Sequence, residues 1–177
     1  MRDHLIRGRV WVVTDANGRL IEDIDTDQIF HNAHLHITEI SLMGAFAFGN
    51  LEGWKDFPQK AKPGDLIVAG RNFGAGSSRQ QAVDCFLALG VTAILAPSYS
   101  AIYFRNAVNT GFPVLRSEGL GRFVAAGRLR SGDEVEIDFE TGLVRILSRP
   151  DSFSAEPMSA VQSEIYDAGD LFRMRWS

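Results

Sequence analysis

The sequence predicts an α/β domain, and three observations lead to that prediction. A strand–helix–strand–helix–strand succession runs over residues 65–115, which is typical of a parallel sheet layered with helices. Two alternating apolar runs within residues 133–147 flank a glycine-bearing turn and predict a β-hairpin. The chain has 177 residues, close to the length of one ordinary domain. We therefore expect residues 1–177 to form a single three-layer unit.

The first third of the chain begins with one strand and then becomes polar. The β-branched and aromatic run IRGRVWVV predicts the strand, and the Asp-Ala-Asn-Gly sequence after it predicts a turn. The expected elements are, in order, a strand over 6–13, a turn over 15–18, an acidic segment over 22–28, a short helix over 38–46 and a loop over 49–62.

The middle of the chain has the clearest periodicity. Apolar residues at the i, i+3, i+4 spacing, from Ala82 to Leu87, predict a helix. Gly90 and Gly111 are typical helix-ending residues. The expected elements are a buried strand over 65–70, a glycine-rich loop over 71–76, a helix ending at 90, a strand over 91–96, a helix over 98–110 and a strand over 112–115.

The last third of the chain has the pattern of two strands joined by a turn, followed by a helix. Strands are expected over 133–139 and 143–147, joined by a turn over 140–142. Residues 156–168 predict a closing amphipathic helix, because Met158, Val161 and Ile165 share one face.

Composition excludes several function classes. The 18 basic and 22 acidic residues give a net charge of −4, which argues against nucleic-acid binding and against an anionic membrane surface. Residues 1–20 contain no apolar core of signal-peptide length, and no run reaches membrane-span length, so we expect a cytoplasmic protein. Cys85 is the single cysteine, so this chain alone can build neither a disulfide nor a cysteine-ligated cluster.

The segment Gly74-Ala75-Gly76-Ser77-Ser78-Arg79 carries the strongest chemical signal. Its glycines let the backbone approach an anion, and the helix that follows offers free N–H groups. Arg79 adds a cation that can bind a carboxylate through two hydrogen bonds. Arg79 also stands where G-x-G-x-x-G needs its third glycine, so a small anion or carboxylate is expected rather than a nucleotide.

Ser77 has two interpretations. With Gln80 it fits the S-x-x-Q capping box, which predicts that Ser77 caps the following helix. A serine at this point can also accept a proton while nearby donors stabilise its alkoxide. The two roles are compatible, and the pattern favours the cap.

The other polar candidates lie before this loop and on the helix after it. His31, His34 and His36 are spaced H-x-x-H-x-H, which with Asp27 suggests a metal site but matches no recognised zinc motif. Asp25 and Asp27 suggest an acid/base pair, but turn aspartates are the favoured interpretation, with Asp27 supporting an active-site arginine or histidine.

Three further side chains lie in predicted helices, and their positions there indicate their surroundings. Cys85 is expected to be a packed core thiol. Arg105 and Asn106 either line the same cleft as the glycine-rich segment or are solvated on the helix surface.

A family resemblance becomes visible at this point. Residues 70–82 (GRNFGAGSSRQQA) and 88–115 resemble the small subunits of 3-isopropylmalate dehydratase and homoaconitase, which correspond to the swivelling domain of the aconitase superfamily. Residues 25–29 (DTDQI) and 132–157 resemble further elements of that family. The resemblance covers nearly the whole chain and implies a three-layer β/β/α swivelling domain, with a small parallel sheet and a C-terminal hairpin plus helix.

The resemblance also implies an activity and a division of labour. Ser77, as an alkoxide, would remove the α-proton of a malate-type 2-hydroxy acid, while Ser78 and Arg79 would bind the substrate. A [4Fe-4S] cluster on a separate large subunit would take the leaving hydroxyl, so no cofactor or metal is expected on this chain. The first substrate it implies is 3-isopropylmalate, an intermediate of leucine biosynthesis.

This chain departs from the family pattern in two places. Ala75 and Gln80 stand where a cysteine and a glutamate are common. The arginine usual in the loop after DTDQI falls at Ala33. By analogy with the substrate-facing loop of the family, we expect His34, His36 and Ile37 to contact substrate.

The alternatives remain open. The loop lacks Arg and Lys, which favours a less charged substrate, yet homoaconitate and 2,3-dimethylmalate or citramalate are also candidates. A stand-alone anion- or metal-binding module and a regulatory subunit are the alternatives to an enzyme subunit.

Overall fold

Seven strands form one sheet in the computed structural model, which describes residues 1–174. In chain order they are β1 (Leu5–Val12), β2 (Leu66–Val68), β3 (Ala93–Ala96), β4 (Val114–Arg116), β5 (Glu134–Asp138), β6 (Leu143–Ile146) and β7 (Ser152–Ser154). Their order across the sheet is β4-β3-β2-β1-β5-β6-β7.

Strand β1 joins a parallel half of the sheet to an antiparallel half. Its last residues pair with β2 in parallel, with Val10 opposite Leu66. Its first residues pair with β5 in antiparallel register, with Leu5 opposite Asp138. Strands β2, β3 and β4 continue the parallel half, and β5, β6 and β7 form an antiparallel meander. The predicted parallel sheet and C-terminal hairpin are both confirmed.

Two hydrophobic cores lie on opposite faces of the parallel half. Ile67 and Ile94 belong to a core shared with the helices. Leu66 and Leu95, their alternating neighbours, belong to a second core that also contains Val135 of the antiparallel half. The sheet therefore curls so that its antiparallel half covers one face while helices cover the other. This is the three-layer β/β/α arrangement implied by the family resemblance.

The helices connect these strands. They are α1 (Thr26–Ile29), α2 (Ile40–Met43), α3 (Phe57–Lys60), α4 (Gln81–Ala88), α5 (Ala101–Asn109), α6 (Leu120–Ala125) and α7 (Ala160–Ala168), with 3-10 turns at Asn32–His34, Gly44–Phe46 and Leu171–Arg173. The predicted helices over 38–46, 82–90 and 98–110 are confirmed in position.

Some elements differ from the prediction. The segment 49–62 is not wholly a loop, because α3 forms where the buried Phe57 packs on Phe48 at 5.2 Å between ring centroids. The last helix begins at 160 rather than 156, because Ser159 caps it in a capping box with Gln162. The short elements α1, α6 and β7 were not predicted.

None of the helices within residues 1–174 is both long and apolar enough to cross a membrane.

Candidate active site

The glycine-rich loop leaves the sheet at the carboxyl end of β2. Phe73 is fully buried in the helix-side core, and its N–H donates to the Ser98 carbonyl at 3.1 Å. The Phe73 carbonyl accepts from Ser100 N at 3.0 Å. These two bonds join the loop to the chain that leaves β3. The loop therefore emerges at the carboxyl edge of the parallel strands, where open α/β sheets bind ligands.

Gly74 turns the chain away from the core. Its φ is +80°, and a Cβ at this position would lie 2.2 Å from Cγ of Tyr103. Both the left-handed backbone and the contact with the ring of α5 require glycine. The Gly74 carbonyl accepts from Ser100 Oγ at 2.6 Å, while Ser100 Oγ accepts from Tyr103 N and caps α5. The turn is thus held by the start of α5.

Helix α1 supports the loop from the other side. Asp25 caps this helix, because its carboxylate accepts from Gln28 N at 2.8 Å and Gln28 Oε1 accepts from Asp25 N at 3.0 Å. Thr26 then makes two contacts with the loop. Its N–H donates to the Ala75 carbonyl at 2.9 Å, and its Oγ1 donates to the Ser77 carbonyl at 2.8 Å. The favoured structural interpretation of Asp25 is confirmed.

Ser77 and Ser78 lie exposed on the outer side of the loop. The prediction that Ser77 caps the next helix is wrong: α4 begins at Gln81, its N-cap is Gln80, and no side chain caps it. The chain runs irregularly past Ser77 before the helix starts, so the hydroxyl is too far upstream to cap. Ser77 Oγ forms no hydrogen bond within the described residues, whereas Ser78 Oγ accepts from Asn106 Nδ2 at 3.2 Å.

Arg79 is held in place by an ion pair with Asp27. Its Nη1 donates to Asp27 Oδ1 at 2.9 Å and to the Phe30 carbonyl at 3.0 Å, and the side chain is 13% exposed. Asp27 also accepts from Asn32 N and from Asn50 Nδ2. The Arg79 guanidinium, helped by the Asn32 N–H, holds the pKa of Asp27 below its usual range. The expected contact of Asp27 with an arginine of the glycine-rich segment is confirmed.

Arg79 makes these contacts with only one of its three guanidinium nitrogens, Nη1. Both hydrogen bonds of Arg79 come from Nη1. Along the described chain, Nη2 and Nε have no protein acceptor, so that edge of the guanidinium remains available for a carboxylate.

The histidine loop, residues 31–39, is held mainly by hydrogen bonds between its own residues. His31 Nδ1 accepts from Ala33 N at 3.1 Å, and His36 Nδ1 donates to the Ala33 carbonyl at 3.1 Å. His34 stacks on Phe46 with 4.1 Å between ring centroids. In residues 1–174, neither His34 nor His36 forms a hydrogen bond with the Ser77–Arg79 segment, so no hydrogen bond joins these predicted binding residues to it.

The remaining residues of this loop face in different directions. Ile37 is partly buried and packs against the helix-side core. Leu35 is 39% exposed, and its carbonyl accepts from Gln81 Nε2 at 3.4 Å. This bond links the loop to the start of α4. Leu35 is therefore the more accessible of these two apolar side chains.

The structure gives no support to the metal site considered for the histidines. Within residues 1–174, no three His, Cys, Asp or Glu side chains are grouped where they could hold an ion. Cys85 is fully buried on α4, and burial raises the pKa of its thiol well above the usual value. It is a packed core thiol, as expected from the sequence.

Several residues that build the site were not identified from the sequence. They are Thr26, Asn50, Ser100, Tyr103 and Thr110. Ser100 precedes a helix and carries a cap signal, but this signal does not indicate its bond to Gly74. Asn50 lies in an irregular segment, and no local pattern connects it with Asp27.

An open cleft lies beside this site and not over it. It has a volume of about 1210 Å³ and is lined in part by Gly70, Arg71 and Pro97 at the same carboxyl edge. Ser77 and Ser78 are outside it, on open surface. A small substrate bound at these serines would remain exposed to water on this chain alone.

Comparisons with known proteins agree on one family. The aconitase C-terminal domain model matches residues 48–118, which include β2, the loop, α4, β3 and α5. The 3-isopropylmalate dehydratase small subunit of Pyrobaculum calidifontis is 38% identical over 96% of each chain. The chain belongs to the 3-isopropylmalate dehydratase small-subunit family.

Other members of this family agree in sequence and in fold. The isopropylmalate/citramalate isomerase small subunit of Methanocaldococcus jannaschii is 33% identical over 94% of this chain and 91% of its own. A crystal structure of 3-isopropylmalate dehydratase from the same organism matches with a TM-score of 0.81 and 31% identity, covering 96% of this chain and 92% of that chain. The dehydratase small-subunit fold is therefore present over nearly all of the chain.

Proposed function

We propose that this chain is the small subunit of a two-subunit hydro-lyase that dehydrates and rehydrates a malate-type 2-hydroxy acid, with 3-isopropylmalate as the substrate. The observation that carries the proposal is the Ser77–Ser78–Arg79 segment. Two serines lie open to solvent beside an arginine that Asp27 orients and whose Nη2 and Nε have no acceptor in residues 1–174. The segment therefore offers a base, a hydroxyl and a carboxylate-binding cation side by side.

Each of these residues has a role in the proposed reaction. Ser77 Oγ, as an alkoxide, takes the proton from the carbon next to a substrate carboxylate. The electrons of that C–H bond form a double bond as the hydroxyl leaves the neighbouring carbon, and water then adds back with its oxygen on the other carbon. Arg79 binds a carboxylate through Nη2 and Nε, and Ser78 donates a hydrogen bond to the substrate.

The group that accepts the leaving hydroxyl is assigned to a partner. Cys85 is the single cysteine and is buried, so the residues of this chain do not fit an iron–sulfur cluster. We assign a [4Fe-4S] cluster to a large subunit whose surface also covers the exposed serines. We further propose that the assembly is cytoplasmic and that this chain contributes one swivelling-type domain.

The proposed substrate follows from the loop after α1. Residues 30–39 contain neither Arg nor Lys, and Leu35 presents an accessible apolar side chain. An isopropyl group suits this surface better than the additional carboxylate of homoaconitate, which would need a cation. Citramalate and 2,3-dimethylmalate are small enough to be tested in the same panel.

The first experiment identifies the partner. An anaerobic pull-down of this chain from its native cytoplasm, with iron and sulfide assays on the co-purifying protein, is expected to recover a larger iron–sulfur chain. Recovery of no such chain would favour the stand-alone anion-binding module instead.

The second experiment tests the base. In the reconstituted complex, Ser77→Ala is expected to lower kcat by at least about 10³-fold, because it removes the proton acceptor. The melting temperature should be unchanged, because Ser77 Oγ has no hydrogen-bond partner in residues 1–174. Ser148→Ala, at an exposed serine after β6, serves as the matched control. Normal turnover by Ser77→Ala would disprove the assignment of the base.

A further inference from the structure

One face of α5 contacts residues 74–80, the proposed catalytic segment, at several points along its length. Tyr103, Asn106 and Thr110 are spaced i, i+3, i+7 and so share a side of the helix. Tyr103 packs against Gly74 and donates from its OH to the Ala82 carbonyl at 3.1 Å. The segment between these two contacts is therefore spanned by a single helix face.

The polar residues of this face reach the segment itself. Asn106 Nδ2 donates to Ser78 Oγ at 3.2 Å. Thr110 Oγ1 accepts from Gln80 Nε2 at 2.8 Å and donates to the Asn106 carbonyl at 2.6 Å. Gln80 Nε2 also donates to Asp84 at 2.9 Å. Asn106 therefore contacts Ser78 from a helix position that its neighbours hold in place.

The direction of the Asn106–Ser78 hydrogen bond has a chemical consequence. A serine hydroxyl has one proton to donate and two lone pairs. Because the Asn106 amide donates, one lone pair of Ser78 is used and the hydroxyl proton remains free. An acceptor at position 106 would instead draw that proton towards α5. The amide thus leaves Ser78, which is exposed like Ser77, able to act as a donor toward solvent.

We propose that Asn106 is a positioning residue that keeps Ser78 in the donor state required to bind a substrate carboxylate. This inference rests on the proposed function and adds to it the direction of one hydrogen bond. Asn106 does not touch the substrate, and it acts through Ser78 alone. Arg79 supplies the charge for the carboxylate, while Ser78 supplies a directed O–H.

Two substitutions of Asn106 distinguish a role in donating a hydrogen bond to Ser78 from a purely structural role in joining α5 to the loop. Asn106→Asp has the same shape but can only accept when ionised, so it draws the Ser78 proton inward. Asn106→Ala removes the partner and lets the hydroxyl rotate freely. A purely structural role predicts that Asn106→Ala is the more damaging variant, because Asn106→Asp keeps a hydrogen bond between helix and loop. The proposed role predicts the opposite order.

The experiment is steady-state kinetics of the reconstituted complex with 3-isopropylmalate. We expect Asn106→Asp to raise KM about 30-fold or more and Asn106→Ala to raise it about 3- to 10-fold, with kcat changed much less in both, since a ground-state carboxylate contact is lost. Asn109→Asp adds the same charge three residues further along α5 and controls for repulsion of the anionic substrate.

The kinetic results test the inference and the proposed function separately. A KM for Asn106→Asp at or below that of Asn106→Ala overturns the inference, as does an equal rise in Asn109→Asp. A wild-type complex with no activity on any of the candidate acids overturns the proposed function, and the inference with it. Melting temperatures of the isolated variants, expected to be within a few degrees of wild type, show that the chain remains folded.

Discussion

Two segments meet at the carboxyl edge of the sheet, and they are held in different ways. The proposed catalytic segment, residues 74–80, is held by partners distant in sequence. Ser100 bonds to Gly74, Thr26 to Ser77 and Asn106 to Ser78. The histidine loop, residues 31–39, is held largely by hydrogen bonds within the loop, such as the one from His34 N to the His31 carbonyl and the two that join histidine rings to Ala33.

This difference separates two tasks. A base must be held within a fraction of an ångström of its proton, so the residues that do the chemistry need rigid supports from several elements. A loop that selects among similar acids can be held locally, because changing it then leaves the base in place. We expect substitutions in the proposed catalytic segment to alter kcat, with a loss of stability where a supporting contact is removed, and substitutions in the histidine loop to alter substrate preference.

Gly74→Ala should have the largest effect, because it disrupts the supported segment directly. The new Cβ would lie 2.2 Å from Tyr103 Cγ with φ at +80°. Together the strained backbone and the clash should cost about 2–5 kcal/mol of unfolding free energy, measured by urea denaturation. Catalysis in the reconstituted complex should fall with it, because the turn sets the position of Ser77.

Gly18→Ala is the matched control for this variant. Gly18 has nearly the same φ, +77°, but a Cβ there has no neighbour within 4 Å. It should lose only about 1 kcal/mol, the cost of the left-handed backbone alone. Equal losses for the two variants would mean that the contact with α5 contributes nothing.

Asp27→Asn tests the contact that joins the two segments. Asp27 binds Arg79 of one segment and Asn32 of the other, so its loss should lower kcat/KM about 10- to 100-fold through misplacement of Arg79. Asp56→Asn removes a comparable surface ion pair, with Lys60 of α3, and should leave kinetics unchanged. A normal kcat/KM for Asp27→Asn would mean that Arg79 does not need this support.

The same variant has a defined pH dependence. Arg79 lowers the pKa of Asp27 in the folded chain, so the unfolded chain binds this proton more readily. The resulting stability is present above the ordinary carboxyl pKa and is lost as pH falls through the lowered pKa. The stability difference between wild type and Asp27→Asn should therefore be constant near neutral pH and shrink in strong acid.

The regular parts of the fold follow from local patterns. Strands β2 and β3 are buried on both faces, and their unbroken apolar runs made them predictable. Helix α1 was not predicted, because four residues are too few for a periodic pattern. Its capping box, Asp25 with Gln28, was nevertheless present in the sequence.

The residues of the candidate site could be named from the sequence, but the contacts that support them could not. Ser77 and Arg79 can be recognised as candidates because they lie in a glycine-rich motif that resembles a known family. The Ser77 cap was wrong, because the S-x-x-Q pattern does not reveal where the chain begins to turn helically. The Asn50–Asp27 and Gln80–Thr110 contacts join residues 23 and 30 positions apart, and such pairs leave no local signal.

His34→Ala should have a small effect on the fold, and it sharpens the comparison most. Removing the ring loses a stacking contact with Phe46 at 4.1 Å, which should cost about 1 kcal/mol. His36→Ala, the matched variant, loses a hydrogen bond to the Ala33 carbonyl three residues earlier and should cost less. Both should keep a kcat close to wild type, because in residues 1–174 neither ring forms a hydrogen bond with the Ser77–Arg79 segment.

The effect of these histidine variants should appear in substrate preference. If the loop faces the substrate, the ratio of kcat/KM for 3-isopropylmalate to that for citramalate will change in one or both variants, measured in the same reconstituted complex. An unchanged ratio would place the selecting residues elsewhere, with Leu35 the next candidate because it is exposed on the same loop. A large fall in kcat would instead show that the two segments are one mechanical unit, since a locally held loop cannot displace a base supported from α1 and α5.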